Sequence, residues 1–351
     1  MGLKKWLKRN EQIHYLGVAW KMRKDEKFRN KLLTLYDKPD VLMFKHMGEE
    51  NPDKNIYLLY TNNATRGFFS LFNLVLDGIE FAHYYNLTPV VEFGPDTIYH
   101  EDHGINGVMN SFEYYFKQPG DVSVVSAHNS KNVVFYEFSH RKLAIPDFNL
   151  TVCASFTDDK KMEEYLIRRA AIIKQYIRFS DRVQSYLISS TELLIGSKKT
   201  LGVHVRGTDM NIGYNGHAKI VPPTEYLEAA RKTFEVGAFE QVFLATDEAA
   251  VISLFEDYFG DKLVYFNDIL RSEDGQALHF SQNTRDHHKY LLGLEVLRDM
   301  YVLALSDGLI AGISNVSLAT RMMKKSFGKE YEHIEILSHG FNQTNISMKQ
   351  K

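Results

Sequence analysis

Leu-Gly-Val-His-Val-Arg-Gly-Thr-Asp, residues 201 to 209, is the stretch that decides the fold. The segment Thr200 to Val205 is a short β-branched and apolar run, which is typical of a strand buried on both faces. The run ends abruptly in polar side chains, and a Gly-rich loop at 212–216 follows. Ligands of open α/β sheets bind outside the carboxyl ends of the strands. The stretch therefore predicts a parallel α/β sheet with a binding site at the end of this strand.

Arg206 is the side chain in this stretch that best fits a phosphate group. A guanidinium presents a planar fork of donors that matches two phosphate oxygens, whereas a Lys ammonium does not. The alternative is a surface turn in which Arg206 and Asp209 pair with each other. The two interpretations differ in whether the strand end binds a ligand or only closes a turn.

Length and composition are those of an ordinary globular protein. The chain has 351 residues, enough for two cores, and 44% of them are apolar and 25% charged. A net charge of −2 favours no nucleic-acid partner. No apolar run approaches the ~18 residues of a membrane span, and no secretory signal follows the basic start at 1–9. The one cysteine, Cys153, cannot form an internal disulfide. These features favour a cytoplasmic, bacterial protein.

The order of predicted elements divides the chain into two α/β domains. A strand at Asn55–Tyr60, a helix at Phe68–Tyr85 and a strand at Thr88–Phe93 form a βαβ unit, the building block of a parallel sheet. A second regular series of strands and helices begins at Lys199. We expect a basic N-terminal lead (1–54), an N-terminal α/β domain (55–195), a C-terminal α/β domain (196–338), and a polar, disordered tail (339–351).

The rest of the N-terminal domain is predicted from shorter patterns. Val122–Ser126 and Asn132–Phe138 are predicted strands, and Asp158–Arg178 and Ser180–Ile195 are predicted helices. The aromatic cluster Phe112–Phe116 has two interpretations, contact with a bound sugar and packing in the core. We expect core packing.

Three predicted strands of the C-terminal domain end in polar side chains. Parallel strands share one carboxyl edge, so these groups should converge there. Arg fits a diphosphate, an acid fits a ribose or base, and hydroxyls at a helix N-terminus fit the remaining oxygens. The pattern predicts a nucleotide site. The three groups are His204, Arg206 and Asp209; Thr246 and Asp247; and Ser314, Asn315 and Ser317.

Histidines around the polar loop at 268–284 raise the question of a metal site. His279, His287 and His288 have no carboxylate or cysteine partner at a recognisable ligand spacing, so we expect no metal there. Asp286 is instead the predicted N-cap of a long helix, Asp286 to Leu305.

Three motifs resemble those of the α1,6-fucosyltransferases. They are His-Val-Arg-Gly-Thr-Asp at 204–209, Phe-Leu-Ala-Thr-Asp at 243–247 and Leu-Ser-Asp-Gly-Leu-Ile-Ala-Gly-Ile-Ser-Asn at 305–315. Their order and spacing also match, and Ala277-Leu278-His279 resembles a further family segment. That family includes eukaryotic core-fucosylating enzymes and the rhizobial nodulation-factor enzyme, and it is related to the protein O-fucosyltransferases. The resemblance covers roughly residues 195–330 and, more loosely, 55–95.

The resemblance implies a GT-B-type glycosyltransferase with two Rossmann-like domains. The donor would be GDP-fucose, bound mainly by the second domain, and fucose would pass with inversion and without metal or cofactor to a glycan acceptor. The sequence contains no Asp-X-Asp, the usual metal motif for nucleotide sugars. Two alternatives remain open: a transferase of the same fold that uses another nucleotide sugar, and a nucleotide- or glycan-binding protein that does not catalyse transfer.

Family roles can be carried over to matching positions. Arg206 would hold the diphosphate and assist departure of GDP, and His204 would bind the donor beside it. Asp247 would contact the guanosine, and Ser314, with its neighbours Asn315 and Ser317, the phosphates. Asp209 would orient Arg206 or shape its loop.

The catalytic base cannot be carried over. Family members usually have a second Arg where this chain has Gly207, a Lys where it has Met210, and a Glu a few residues further on. The segment 210–216 contains no acid. His217 and Glu92 are the remaining candidates, because a base must reach the acceptor hydroxyl.

The basic N-terminus predicts a testable membrane contact. Residues 1–32 contain ten Lys or Arg and three acids, which fits either an anionic membrane surface or a solvated helical face. If the first interpretation holds, deletion of residues 1–32 will reduce cosedimentation with anionic liposomes. Unchanged binding after the deletion would end this idea.

Overall fold

A computed structural model describes Trp20, Lys24 and residues 44–137, 159–206, 217–272 and 285–342. Several sequence predictions lie outside these residues. They concern nearly all of the basic segment 1–32, Cys153, Gly207, Asp209, Met210, the loop 210–216, Ala277–His279 and the end of the tail.

The first part of the chain forms a three-stranded parallel sheet. Strand β1 (Glu50–Thr61) lies between β2 (Thr88–Phe93) and β3 (Ser130–Glu137). Helix α1 (Phe68–Tyr84) connects β1 to β2 and begins after Gly67, whose carbonyl accepts from the N–H groups of the first turn. The predicted βαβ unit is therefore confirmed.

A helix follows β2 where a strand is predicted. Val122–Ser126 is not a strand, because Val124–His128 forms the short helix α2. Ser123 is its N-cap, and the side chain of Ser123 accepts from the Ser126 N–H at 3.1 Å. Val125 is 73% exposed, so the β-branched pair does not line a sheet face. A local serine cap outweighs β-propensity here.

Two successive helices and then a second sheet, interleaved with four more helices, follow the first sheet. The second sheet has five parallel strands in the order β6-β5-β4-β7-β8. Because both sheets are parallel and joined by helices, the predicted α/β class is confirmed. The elements are α3 (Asp159–Tyr176), α4 (Asp181–Ile195), β4 (Thr200–Val205), α5 (Pro223–Val236), β5 (Gln241–Thr246), α6 (Ala249–Phe259), β6 (Leu263–Val264), α7 (His288–Leu305), β7 (Gly308–Gly312), α8 (Asn315–Ser326) and β8 (His333–Leu337).

The main apolar core joins both sheets. It contains Tyr57 and Leu76 from the first part of the chain and Leu297 and Met322 from the second. The cluster Phe112–Phe116 belongs to this core, with Phe112 and Tyr115 each 1% exposed, so the prediction of core packing is confirmed. The division at residues 195 and 196 stays a prediction, because the core is continuous across it. No helix among the described residues is both long and apolar enough to cross a membrane.

The N-terminus of α7 is held by residues of the first part of the chain. The N-cap is His287, in the left-handed region with φ 54°, so the prediction that Asp286 caps this helix is wrong. The Glu101 carboxylate accepts from the Tyr290 N–H at 2.9 Å. The Tyr115 hydroxyl donates to the Tyr290 carbonyl at 2.8 Å, and the two rings stack 5.5 Å apart. A carboxylate from another part of the chain thus supplies the cap.

Gly293 of α7 lies close to the rings of Tyr115 and Phe68 in the first part of the chain. A Cβ on Gly293 would lie 2.3 Å from the Tyr115 hydroxyl oxygen and 3.0 Å from the Phe68 ring. We expect Gly293→Ala to lower the free energy of unfolding by ~1–3 kcal/mol, because the overpacked rings must move. Urea denaturation measures this change. In a Tyr115→Phe background the nearest clashing atom is gone, although the ring carbon at 2.6 Å remains. The double variant should therefore lose somewhat less than the sum of the two single losses, and strict additivity would contradict this expectation.

Candidate functional site

The second sheet brings the predicted polar groups to one edge. Strand β4 is central, and its residue His204 pairs with Ala245 on one side and Ala311 on the other. Neighbouring strands lie ≈ 4.8 Å apart, and all three run in the same direction. The residues that follow these strands therefore share the carboxyl edge.

His204 is buried on the face of β4 that α7 covers. Its strand neighbours are alanines, and Gly202 two residues earlier lies against Leu303 of α7 and Ser306, the residue that follows this helix. Burial, and then the positive charge of Arg206, lower the pKa of His204 to about 3. Its Nδ1 has no hydrogen-bond partner among the described residues. At neutral pH the imidazole is uncharged and can exchange hydrogen bonds with a ligand, but it does not contribute a positive charge.

Arg206 follows β4 directly and is half-buried. Arg206 lies two residues after His204 in the chain, and its positive charge adds to burial in lowering the pKa of His204. Among the described residues, Arg206 is thus a cation at the end of the strand that carries His204. Asp209 lies outside the described residues, so its predicted role stays a prediction.

Asp247 follows β5 and is held through its main chain. Its carbonyl accepts from the Ser272 N–H at 2.8 Å, and the Ser272 carbonyl accepts from the Ala249 N–H at 3.1 Å. Glu248 stands beside it, and burial together with the charge of Asp247 raises the pKa of Glu248. Two adjacent acids therefore mark this corner of the edge. The sequence interpretation considered only Asp247, although the run Thr246-Asp247-Glu248 shows both.

Ser314 and Ser317 form the N-terminal cap of α8. The Ser314 side chain accepts from the Ser317 N–H at 3.0 Å, and the Ser317 hydroxyl donates to the Gly312 carbonyl at 2.7 Å. This is a capping box, in which both hydroxyls serve the helix. The backbone amides of Asn315 and Val316 lie between the two serines in the first turn. They are the N–H groups that a helix N-terminus offers to an anion.

Asn315 contacts a residue that the sequence interpretation missed. The Asn73 Nδ2 of α1 donates to the Asn315 Oδ1 at 2.9 Å, and Asn73 is only 8% exposed. Asn73 belongs to a polar stripe that starts just before α1 and continues along it, and its members are spaced four, three, four and three residues apart in the sequence. The members of this stripe are Arg66, Ser70, Asn73, Asp77 and Glu80.

The far half of that stripe is paired within the first part of the chain. Asp77 and Glu80 both contact Arg169 of α3, which is 2% exposed. Nearer the site, the Arg66 Nη1 donates to the Ser70 hydroxyl oxygen at 3.1 Å. Burial is the larger influence on Arg66 and lowers its pKa, while the charge of Asp77 acts in the opposite direction. The stripe therefore extends from a buried ion-pair cluster to the N-terminus of α8.

His217 is held beyond the carboxyl end of β8 by the tail. Its carbonyl accepts from the Asn342 N–H at 2.8 Å, and the Lys219 N–H donates to the Gly340 carbonyl at 2.8 Å. The prediction that the tail is disordered from residue 339 is therefore wrong for 339–342. Main-chain pairing of this kind needs no side-chain pattern, and polar composition does not reveal it.

Glu92, the other proposed base, pairs with a histidine. Its Oε2 lies 2.7 Å from the His128 Nε2 of α2, while the flanking Val91 and Phe93 join the core on the α1 side. The carboxylate therefore points to the sheet face away from α1. Among the described residues, His, Cys, Asp and Glu side chains form no group of three able to hold a metal ion. Of the loop histidines, His288 accepts through Nδ1 from the Arg285 Nε at 3.0 Å, and His279 lies outside the described residues.

The low pKa of His204 predicts a specific pH dependence of stability. His204 is neutral when folded but binds a proton below pH ~6.5 when unfolded, so stability is complete above that value and falls as the pH drops toward 3. Between about pH 7 and about pH 5 the wild type should lose ~2 kcal/mol more unfolding free energy than His204→Gln, which cannot titrate. Urea denaturation at both pH values measures the difference, and equal losses in the two proteins would contradict the buried, neutral state.

No family model matches the chain, and no curated protein matches its sequence. Similarity is found among solved structures. NodZ α-1,6-fucosyltransferase soaked with GDP-fucose is 15% identical, with 77% of this chain and 93% of that chain covered and a TM-score of 0.46. The fucosyltransferase NodZ from Bradyrhizobium is 15% identical, with coverages of 77% and 92% and a TM-score of 0.45. POFUT1 in complex with GDP-fucose is 12% identical, with coverages of 82% and 99% and a TM-score of 0.47.

Proposed function

We propose that this protein is a GT-B-type glycosyltransferase that transfers fucose from GDP-fucose to a glycan acceptor with inversion and without metal. The observation that carries the proposal is the position of Arg206 at the carboxyl edge of the second sheet, beside the uncharged His204. The strands within the three sequence motifs that resemble the α1,6-fucosyltransferases end at this same edge. We further propose that residues 196–338 bind the donor and that residues 55–195 face the acceptor.

Arg206 would stabilise the leaving group. In the transfer, the acceptor oxygen attacks the anomeric carbon while the bond between that carbon and the phosphate oxygen breaks. Negative charge then develops on the phosphate oxygens of the departing GDP. A preorganised guanidinium stabilises this charge, and such electrostatic contributions are usually the largest in catalysis. Because His204 stays neutral, this electrostatic role falls to Arg206.

The remaining donor contacts would divide among the three strand ends. His204 would donate or accept a hydrogen bond beside the diphosphate, and Asp247 would contact the guanosine. The α8 N-terminus would contact the phosphates through backbone amides and Asn315, because the capping box engages Ser314 and Ser317.

We propose His217 as the base that takes the proton of the acceptor hydroxyl. It lies beyond the carboxyl end of β8, on the same side of the sheet as Arg206, whereas Glu92 is paired with His128. Asp209 would orient Arg206.

The test is release of GDP from GDP-fucose by the purified protein in the absence of metal. GDP-mannose and UDP-sugars serve as donor controls. We expect turnover with GDP-fucose, and a loss on the order of 100-fold or more in Arg206→Ala, because the charge on the leaving group is then uncompensated. Arg206→Lys should remain impaired, since an ammonium lacks the planar fork.

The matched control is Arg231→Ala, which removes an exposed arginine that lies over the Tyr258 ring and should leave turnover unchanged. Preference for another nucleotide sugar would keep the fold and reject the fucosyl assignment. Binding of GDP without turnover in the presence of a screened set of glycan acceptors would favour the binding-protein alternative.

A further inference from the structure

Asn73 lies in α1, far from the donor-site motifs in sequence, yet touches the first residue of α8. Its Nδ2 donates to the Asn315 Oδ1 at 2.9 Å across a sequence separation of 242 residues. Asn73 is 8% exposed, whereas Asn315 is half-buried. The contact therefore reaches from the interior of the first α/β unit to the edge where the donor site is proposed.

The Asn73 Oδ1 is buried and has no hydrogen-bond partner among the described residues. An unpaired buried acceptor is costly, so an apolar residue of similar size would serve packing better. Stability therefore does not account for an asparagine here. The contact with Asn315 does account for it, because a polar side chain with a hydrogen-bond donor is needed to hold the Asn315 oxygen.

The capping box makes the orientation of Asn315 important. Ser314 and Ser317 use their hydroxyls to close the first turn of α8. The Asn315 Nδ2 is a further side-chain donor at this terminus, next to the first backbone amides. A carboxamide is planar, with its oxygen and nitrogen on opposite sides. By engaging the oxygen, Asn73 determines the direction in which the nitrogen points.

We propose that Asn73 is a positioning residue of the ligand site, which holds the Asn315 carboxamide so that its Nδ2 and the first amides of α8 face the pyrophosphate of a nucleotide ligand. The inference rests on the proposed function, since it takes the α8 N-terminus as part of the donor site. Beyond that function, the inference gives the first α/β unit a part in donor binding, through Asn73 of α1.

Binding of GDP, measured by calorimetry, tests the inference independently of catalysis. Asn73→Leu removes the donor and the unpaired acceptor at similar size, so we expect GDP affinity to fall about 3- to 10-fold while the urea midpoint does not fall. Asn73→Asp also removes the donor and adds a negative charge near the phosphates, so its affinity should fall further. In an Asn315→Ala background, Asn73→Leu should cause no further loss, because Asn73 acts through Asn315.

Thr320→Val is the matched control. Thr320 lies in α8, is fully buried, and its hydroxyl also has no partner among the described residues, but it is removed from the first turn. Unchanged GDP affinity in this variant supports the inference. Unchanged affinity in Asn73→Leu, an equal loss in the Asn315→Ala background, or an equal loss in Thr320→Val would overturn it. If the wild-type protein itself does not bind GDP, the proposed function fails instead.

Discussion

Strand β4 hydrogen-bonds to a parallel strand on each side, and the candidate site depends on this double pairing. All six residues of β4 are buried, so apolar packing on both faces determines its register. A slip of one residue would turn His204 from the face covered by α7 to the opposite face. The small neighbours Ala245 and Ala311 leave space for the imidazole in the observed register. The position of Arg206 follows directly, because it is the next residue but one.

The first α/β unit contributes to this edge through side chains outside its sheet. Glu101 caps α7, and Asn73 holds the first residue of α8. Both helices begin at the carboxyl edge of the second sheet, where their N-termini carry partial positive charge. The first α/β unit therefore influences where the positive ends of these helices lie, even though the sequence motifs for the site all belong to the second part of the chain.

Patterns within one segment predicted most strands and the residues at their ends, because burial on both faces leaves a continuous apolar run that ends at Arg206 or Asp247. They failed where a local polar contact or a distant partner decides the structure. Ser123 turns a β-branched pair into a helix, and His287 leaves Asp286 outside α7. The pairing of Asn73 with Asn315 has no signal in either segment alone. The sequence shows only the regular spacing of polar residues along α1. Without knowledge of the contact with Asn315, that spacing is equally compatible with a helix face exposed to solvent.

The capping of α7 by Glu101 has a consequence for synthesis on the ribosome. Tyr290 follows Glu101 by 189 residues, so at ~5–20 residues per second the first α/β unit waits roughly 10–40 s for this partner helix. During that interval the face of Tyr115 and Phe68 that later packs against Gly293 has no α7 to cover it. Until then the nascent chain leaves this aromatic surface uncovered, and exposed apolar surface of this kind makes incomplete chains prone to aggregate.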